Sequence, residues 1–372
     1  MANKALDALK QLTEEPDTIE VPATSVSKGM TTKEKWAAIT AVGKSLNKEF
    51  KCDNSLVRLG DRVGKPVPNT PTGIYTLDHN VLVCGGLPKG RIIEIYGAPS
   101  SGKTSLTFKV IAEEQRLGNI VAFVDVEHAL DPSYAATFGV NVDELVVSQP
   151  DGGEQALETV EALVRSGAVS LIVVDSVAAL VPEKELSGDF GDANMGLQAR
   201  LMSQACRKLR GICAINTVTV IFINQTRMNI GGYGSPVVTS GGKALSFYAS
   251  VRLEVGRVSG EEGKIMSGGV QLGHRVKIKA VKNKVGPPFR TTEVDLIYNV
   301  GWDVEGDFIE YAVSLGAIEK KGSWLFLNGK QLSQGVNKLK DLIKADRSLY
   351  TEVEAEVQKA LAAQKAVEDV KE

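Results

Sequence analysis

The sequence lacks the features that mark membrane proteins, disulfide-rich secreted proteins and zinc sites. No apolar run reaches the roughly 18 residues that a membrane helix needs, and no apolar segment near the N-terminus is typical of a signal peptide. The four cysteines form no CxxC pair, and the three histidines have no metal-ligand spacing. We therefore expect a cytoplasmic protein with reduced thiols that does not associate with a membrane.

Acidic residues are missing from two long segments, although the formal net charge is only −2. Residues 193–253 contain no Asp or Glu and seven Lys or Arg, and residues 264–290 contain no acid and seven more basic residues. Such segments in a mildly acidic chain are typical of a face that binds a polyanion. A basic face that is used in self-assembly, or is only solvated, explains the composition equally well.

What is present predicts four regions. Residues 1–30 are polar and are expected to form a flexible leader. Residues 31–64 contain a helix that begins with a capping box at Thr31 and Glu34. Apolar side chains then recur at helical spacing, which predicts a surface that covers a partner: Trp36, Ile39, Val42, Leu46 and Phe50. Residues 65–300 are predicted to form a core domain, joined through a linker at residues 60–73, and residues 301–372 a small C-terminal α+β domain.

Short apolar runs alternate with helical patterns in the core. Buried strands are predicted at residues 91–96, 120–126, 170–174 and 218–224, and helices at residues 102–115 and 153–165. This alternation predicts an α/β fold with a mostly parallel central sheet and helices on both faces. Two later strands, at residues 250–255 and 275–281, are expected to extend the sheet in antiparallel orientation.

The last region has its own apolar residues. Trp302, Phe308 and Trp324 are among those expected to fill a small separate core. A final helix is predicted from apolar residues at fourfold spacing, namely Leu349, Val353, Val357 and Leu361.

The segment between the first core strand and its helix matches the phosphate-binding pattern GxxxxGK[ST]. It consists of Gly97, Ala98, Pro99, Ser100, Ser101, Gly102, Lys103 and Thr104. The glycines permit conformations that turn backbone N–H groups toward a phosphate, and the helix N-terminus adds partial positive charge. Lys103 is expected to reach the β- and γ-phosphates and Thr104 to hold Mg²⁺. The sequence therefore predicts a site for ATP and magnesium.

Acids at the ends of two further strands are expected to complete this site. Asp175 ends a buried strand, where a Walker B acid holds Mg²⁺ together with Thr104. Asp125 and Glu127 follow another strand. Glu127 is the predicted catalytic base, because it lies further out on the loop side.

Two amides end a third strand, Asn224 and Gln225. An amide in this position can sense the γ-phosphate by a hydrogen bond and pass that state to the next loop. The alternative is that the pair only forms hydrogen bonds that end the strand.

Two loops lie within the basic segments or beside them. Residues 226–242 contain five glycines and no acid, and a glycine-rich loop of this length in a compact domain is uncommon unless it is functional. Arg227 can contact a phosphate, and Ile230 or Tyr233 can stack on bases or insert between them. Residues 185–195 form a second loop, which leads into a helix that carries Arg200. The alternative is that both loops are only mobile surface.

Several of these stretches together resemble the bacterial RecA recombinase family. The matching text extends from about residue 46 to 335 and includes GGLPKGRIIEIYGAPSSGKTSL, AFVDVEHALDPSYA, MGLQARLMSQACRKL, FINQTRM and VKNKVGPPF. The resemblance implies a RecA-type P-loop ATPase core with an N-terminal polymerisation helix and a small α+β C-terminal domain. It also implies an ATP-dependent recombinase that forms a helical filament on single-stranded DNA and pairs it with homologous double-stranded DNA in repair.

The resemblance implies further site residues and agrees with the roles given to Glu127, Asp175 and Gln225. The adenine contacts would be Asp131 and Tyr134, with Tyr298 stacking from elsewhere. Lys282 and Lys284 resemble a pair that reaches the γ-phosphate of ATP on a neighbouring subunit, and Phe247 would relay the nucleotide state across that interface. The DNA-binding residues implied are Met195, Arg200, Arg227, Ile230, Tyr233, Gly241 and Gly242. The apolar stripe of the first helix would pack on the adjacent protomer.

The sequence departs from the bacterial pattern in a few places. Ala98-Pro99 stands where Pro-Glu is usual, and Lys243 where Asn is usual. The leader is longer than usual and a long acidic tail is lacking, so restraint of DNA binding by such a tail is not expected. These differences suit a divergent bacterial lineage or a phage-encoded homologue.

The family implies two further kinds of partner. These are loader or mediator proteins and a repressor of the LexA type, whose self-cleavage the filament would stimulate in the SOS response. Three rival interpretations remain. They are a ring motor with the same core, such as a hexameric helicase, a regulatory scaffold whose filament mainly stimulates repressor self-cleavage, and an ATPase without a nucleic-acid partner.

Overall fold

The computed structural model describes residues 30–50, 56–58, 60, 67–189, 196–228 and 237–369. The chain divides into two compact units, residues 1–66 and residues 67–372. None of the helices in the described ranges has the length and apolar character needed to cross a bilayer.

The first unit contains helix α1 (Thr32–Phe50). The predicted capping box is confirmed, because Thr31 N donates to Glu34 Oε2 at 2.7 Å and Glu34 N donates to Thr31 Oγ1 at 3.4 Å. The apolar stripe lies on the surface, with Trp36 40% and Phe50 63% exposed. An exposed stripe of this kind marks an interaction surface.

The second unit is built on one large sheet with the strand order β13-β12-β11-β9-β3-β7-β6-β4-β5. Its strands are β3 (Ile92–Gly97), β4 (Val121–Asp125), β5 (Leu145–Ser148), β6 (Leu171–Asp175), β7 (Thr219–Met228), β9 (Val251–Arg257), β11 (Val270–Asn283), β12 (Thr291–Ile297) and β13 (Gly301–Trp302). In this order, every neighbouring pair from β9 through β3, β7, β6 and β4 to β5 is parallel. The predicted mostly parallel sheet is therefore confirmed.

Helices cover both faces of this sheet. The core helices are α2 (Lys103–Arg116), α3 (Pro132–Thr137), α4 (Gly153–Ser166), α5 (Glu183–Leu186), α6 (Leu197–Asn216) and α7 (Ala244–Tyr248). Leu106 of α2 and Phe138 belong to one buried cluster, and Val160 of α4 and Cys206 of α6 belong to the other. Strands β3, β4 and β6 are buried along their whole length, which explains their continuous apolar sequences.

Two sequence predictions about the core are wrong, and one strand was not predicted. Strand β9 is parallel to β3, so the antiparallel part of the sheet begins only with β11. Edge strand β5 was missed, because its sequence LVVS is only four residues long. The described part of the predicted linker belongs to the core: β1 (Asn69–Thr70) pairs with β2 (Leu87–Pro88), and Thr72 is buried.

Two hairpins extend from the core. Strand β8 (Val237–Thr239) pairs antiparallel with the end of β7, and β10 (Lys264–Ser267) pairs antiparallel with the start of β11. The β7–β8 hairpin carries residues 229–236, which lie outside the described ranges.

The C-terminal region packs around its own apolar core. Its elements are α8 (Val304–Ser314), β14 (Glu319–Lys321), β15 (Trp324–Leu327), β16 (Lys330–Gln334), α9 (Val336–Ala345) and α10 (Arg347–Asp369). Val353 and Val357 are fully buried, as the spacing in the last helix predicted. The prediction is wrong for two residues that were expected in this core. Trp302 belongs to the main core, where its Nε1 donates to Ser105 O at 3.1 Å, and Trp324 is 39% exposed.

Candidate nucleotide site and DNA-facing elements

The phosphate-binding loop lies between β3 and α2, at the carboxyl edge of the sheet. Ser100 and Gly102 have φ angles of +55° and +99°, and a Cβ atom at Gly97 would overlap Val255 O on the neighbouring strand. Ser101 Oγ is buried in this loop and has no hydrogen-bond partner among the described residues. The loop thus has the tight backbone turn and a spare polar atom that fit a bound phosphate.

Lys103 folds back over the loop. Its Nζ donates to Ala98 O at 2.8 Å, and burial lowers the pKa of Lys103 below its usual range, although the carboxylates of Asp175 and Glu127 oppose this shift. An ammonium group that is held by one carbonyl can exchange that bond for a stronger one to a phosphate oxygen.

Asp175 and Thr104 meet at the end of the loop. Thr104 Oγ1 donates to Asp175 Oδ2 at 2.8 Å. Burial raises the pKa of Asp175 to about 6, with the Thr104 hydrogen bond opposing the shift. Within the described ranges, no three His, Cys, Asp or Glu side chains are grouped to hold a metal. A cation here would thus depend on Thr104, Asp175 and phosphate oxygens, a set of hard oxygen ligands that suits Mg²⁺.

The two acids that follow β4 have different environments. Asp125 is buried and accepts hydrogen bonds from Ala129 N at 3.2 Å, Leu130 N at 3.1 Å and Gln149 Nε2 at 2.9 Å. Its oxygens therefore hold the following loop in place. Glu127 is exposed at the same edge of the sheet, which favours it over Asp125 as the group that meets a water molecule.

Glu127 is held by two polar side chains. Ser176 Oγ donates to Glu127 Oε1, and Gln225 Nε2 donates to the same oxygen at 3.0 Å. The proposed sensor thus contacts the proposed base directly, although 98 residues separate them in the sequence.

The two amides lie where β7 leaves the main sheet, and the strand itself continues to Met228. Asn224 is fully buried, and its Nδ2 donates to Glu94 Oε1 at 2.9 Å and to Ser240 O at 3.0 Å. Gln225 is only partly buried, and its side chain points to Glu127.

A cavity of about 350 Å³ adjoins the site. Thr104, Asp131 and Tyr134 are among the residues that line it. Asp131 caps α3 by accepting from Ser133 N at 2.8 Å, and Tyr134 packs edge-on against Phe138. Both residues therefore line a cavity next to Thr104, and their contact with adenine stays a prediction.

Tyr298 is elsewhere. It does not belong to the described lining of this cavity, and its hydroxyl lies 3.3 Å from His274 Nδ1 on β11. The lining of this cavity therefore gives no support to the predicted stacking of Tyr298 on adenine, which stays a prediction.

Lys282 lies near the end of β11, and Lys284 lies just after this strand. The register places Lys282 beside Arg252, which itself lies beside Glu94 in the middle of β3. Lys284 lines a cavity with Gly90 and Arg91, which precede β3, whereas the phosphate loop follows the end of β3. A strand of six residues separates the cavity from the loop, which is roughly 20 Å at 3.3 Å per residue. Lys282 Nζ donates to Ser246 O and Phe247 O at 2.8 Å each. In the structure Lys282 therefore contacts α7, and Lys284 lines a cavity at the start of β3.

Four of the residues predicted to bind DNA lie in the described ranges, namely Arg200, Arg227, Gly241 and Gly242. Arg200 is exposed on α6, and Arg227 is exposed near the end of β7. Gly241 and Gly242 have φ angles of +79° and +74°, and Cβ atoms there would lie 2.7 Å from Val177 Cγ1 and 2.8 Å from Ala199 Cβ. Close packing alone thus requires both glycines. The predicted residues Met195, Ile230 and Tyr233 lie outside the described ranges.

The sequence interpretation missed Glu94 and Arg252. Glu94 is fully buried in β3 and accepts a hydrogen bond from Arg252 Nε on β9. The signal was the single charge inside the apolar run RIIEIY, since a buried charge in a strand needs a partner.

The fold and these residues define a P-loop nucleotide-binding protein with an α/β core. The RecA N-terminal domain family matches residues 37–303, and the RecA C-terminal domain family matches residues 306–362. The RecA protein of Chloroherpeton thalassium is 50% identical over 329 residues, 88% of this chain and 90% of that one. The RecA protein of Wolinella succinogenes is 51% identical over 325 residues, covering 87% and 91%, and that of Campylobacter jejuni is 51% identical over 329 residues, covering 88% and 94%.

The chain therefore belongs to the RecA family of recombinases, which acts in DNA recombination and repair. The predicted family and function are confirmed, and the match across both domains favours a filament-forming recombinase over a ring motor. As a member of this family the chain binds nucleotide and DNA and assembles with copies of itself.

Proposed function

We propose that the chain hydrolyses ATP at a joint between successive copies of itself, and that this cycle builds and releases a filament on single-stranded DNA in which strands are exchanged with a homologous duplex. The separation of the two sets of cations carries the proposal. Lys103 lies in the phosphate loop at the carboxyl edge of the sheet, whereas Lys282 contacts α7 and Lys284 lines a cavity at the start of β3. This separation supports phosphate contacts that come from two copies.

The chain's own residues would hold the nucleotide as follows. The loop from Gly97 to Thr104 supplies backbone donors and Lys103, and Asp131 and Tyr134 lie beside the adenine. Thr104 and Asp175 would hold Mg²⁺, which supplies positive charge to the phosphates when it is bound.

Glu127 accepts a proton from the attacking water. In the structure its Oε1 is occupied by Ser176 and Gln225. When the Gln225 amide turns to a γ-phosphate, Glu127 Oε1 keeps only the bond from Ser176 and can accept a hydrogen bond, and then the proton, from the attacking water. Sensing of the nucleotide and activation of the base are then one movement of one side chain.

Lys282 and Lys284 act on the ATP of the next subunit. Two cations beside the transferred phosphoryl group stabilise the charge that develops in the transition state. Because these contacts exist only while the nucleotide is bound, ATP strengthens the joint and hydrolysis weakens it. Phe247 is 70% exposed beside Lys282, as a residue in this joint would be in a single chain.

The N-terminal helix would complete the joint. Its exposed apolar stripe needs a complementary surface, and edge strand β5 and its surroundings offer one in Leu117, Ile120, Val142, Val146 and Val147, which are 39–52% exposed. A contact between two different surfaces of one chain propagates from copy to copy. A helical filament is the expected assembly.

The DNA contacts come from α6 and the β7–β8 hairpin. Arg200 and Arg227 would neutralise phosphates, and the loops that adjoin them would place side chains between bases. Base pairing with the incoming duplex, rather than protein contacts, would then test homology.

Mixing two inactive variants tests the joint. Lys103→Ala and Lys282→Ala should each abolish hydrolysis of ATP in the presence of single-stranded DNA. An equal mixture should regain part of the activity, because some joints combine an intact loop from one variant with intact lysines from the other. No recovery would mean that the lysines act within their own chain or not at all.

A second mixture is the matched control. Lys103→Ala and Thr104→Ala affect the same loop, so no joint between them is complete and no recovery is expected. The DNA part of the proposal has its own measurement, the ATP hydrolysis rate with and without single-stranded DNA. Equal rates would contradict it.

Stimulation of self-cleavage in a repressor of the LexA type, and assistance by loader or mediator proteins, stay predictions from the family. A cleavage assay with the assembled filament tests the first of them.

A further inference from the structure

A buried ion pair, Glu94 and Arg252, lies between the proposed sensor Gln225 and the lysines at the end of β11. Glu94 is fully buried in the centre of β3, and the side chain of Arg252 on β9 is 17% exposed. The register of the two strands places the residues side by side, and Arg252 Nε donates to Glu94 Oε2. A buried carboxylate is retained at a cost in desolvation, so its position needs an explanation.

One side of this pair reaches the sensor. Asn224 Nδ2 donates to Glu94 Oε1 at 2.9 Å, and Asn224 Oδ1 accepts from Gln225 N at 2.9 Å. The same Nδ2 donates to Ser240 O at 3.0 Å, directly before the glycines that end the loop of residues 226–242. One buried amide therefore connects Glu94 to the sensor and to the base of that loop.

The other side reaches the joint. Arg252 lies opposite Lys282 in the register of β9 and β11, and its guanidinium is 4.7 Å from the centre of the Tyr96 ring. Burial lowers the pKa of Lys282, and the positive charges of Lys284 and Arg252 lower it further. Arg252 thus acts electrostatically on a lysine that points to the carbonyl of exposed Phe247.

We propose that Glu94 and Arg252 are positioning residues that transmit the nucleotide state sensed by Gln225 to the lysines that serve the next subunit. The inference rests on the proposed function and adds to it the route within one chain. A shift of Gln225 moves the backbone that Asn224 holds, which changes the bond to Glu94 and then the placement of Arg252 beside Lys282. Each step is a contact in the folded chain, and coupling must be measured rather than assumed from contiguity.

The chain offers a closely matched control. Glu114 is also fully buried, also pairs with one cation, Lys89, whose side chain is 18% exposed, and also accepts from an asparagine, Asn119, at 3.0 Å. It lies on α2 and outside the route. Glu94→Gln and Glu114→Gln therefore remove the same buried charge in nearly the same setting.

The readout is the ratio of single-stranded DNA affinities with a nonhydrolysable ATP analogue and with ADP, measured for wild type and both variants. Glu94→Gln is expected to reduce this ratio at least about fivefold, while Glu114→Gln leaves it unchanged. The KM for ATP should stay near the wild-type value in Glu94→Gln while kcat falls, because the phosphate loop is intact. A loss of stability alone would affect both variants alike.

An unchanged ratio in Glu94→Gln, or an equal reduction in both variants, would overturn the inference. If Glu94→Gln does not fold, Arg252→Lys replaces it, since it keeps the charge but loses the planar guanidinium and its Nε donor. If the wild-type chain itself shows no dependence on ATP, the proposed function fails and the inference with it. If the wild type binds DNA in an ATP-dependent way and Glu94→Gln retains the full wild-type ratio, only the inference fails.

Discussion

Asp175→Asn is expected to stabilise the nucleotide-free protein while it removes ATP hydrolysis. Asp175 is 9% exposed, and burial raises its pKa from 3.8 to about 6. Its ionised form is therefore unfavourable in the folded protein. Asparagine keeps an oxygen that can accept from Thr104 Oγ1 and carries no charge.

The magnitude follows from the shift in pKa. A rise of about two units, at 1.36 kcal/mol for each unit, corresponds to about 3 kcal/mol, which is an upper estimate. Because the folded pKa of Asp175 lies above the unfolded one, the contribution of Asp175 to stability is largest below pH 4 and is lost as the pH rises through about 6. The advantage of the variant should grow over the same range and stay constant above it.

Urea unfolding without nucleotide or magnesium measures this effect. The variant should exceed the wild type in free energy of unfolding by about 3 kcal/mol at pH 8, and this difference should be about 1.4 kcal/mol smaller at pH 5. Phosphate release in the presence of DNA should be largely lost, since the site would no longer hold the cation. A variant that is less stable at pH 8, or a difference that does not change with pH, would refute the reasoning.

Three further predictions concern the catalytic base, a closely packed loop glycine and the joint between copies. Glu127→Gln should reduce phosphate release by about 10²–10⁴-fold and keep ATP-dependent filaments in electron micrographs; normal hydrolysis would exclude Glu127 as the base. Gly241→Ala should lower the free energy of unfolding by about 1–3 kcal/mol more than Gly260→Ala in thermal melts, because both have a positive φ but only Gly241 has a neighbour within 4 Å, Val177 Cγ1 at 2.7 Å. Ile39→Asp should prevent filament growth, as followed by light scattering, without a change in melting temperature; filaments of normal length would contradict the role of the helix stripe.

Much of the fold was predictable because its signals are local. Continuous apolar runs predicted β3, β4 and β6, which are buried on both faces, and the Thr31–Glu34 capping box began α1 where the sequence placed it. The limits of the domains, beyond the two units and the two matched families, stay predictions. Orientation was less predictable, since nothing within β9 shows that α7 returns the chain to the start of the sheet and makes the strand parallel to β3.

The sequence by itself determined which residues could handle phosphate. The loop from Gly97 to Thr104 needs only covalent order and a following helix, so its pattern is visible in eight consecutive residues. The tertiary structure alone decided which acid is accessible enough to act as the catalytic base. It placed Asp125 on three loop donors and left Glu127 exposed beside Gln225, 98 residues away.

The tertiary structure also decided what connects the two parts of the site. Asn224 meets Glu94 across 130 residues, and Arg252 meets it across 158. No local pattern encodes such pairs, because they arise only when strands from distant parts of the chain lie side by side in the sheet. The residue types of the site were thus present in the sequence, and their arrangement, including the proposed route to a neighbouring copy, came from the packing of the sheet.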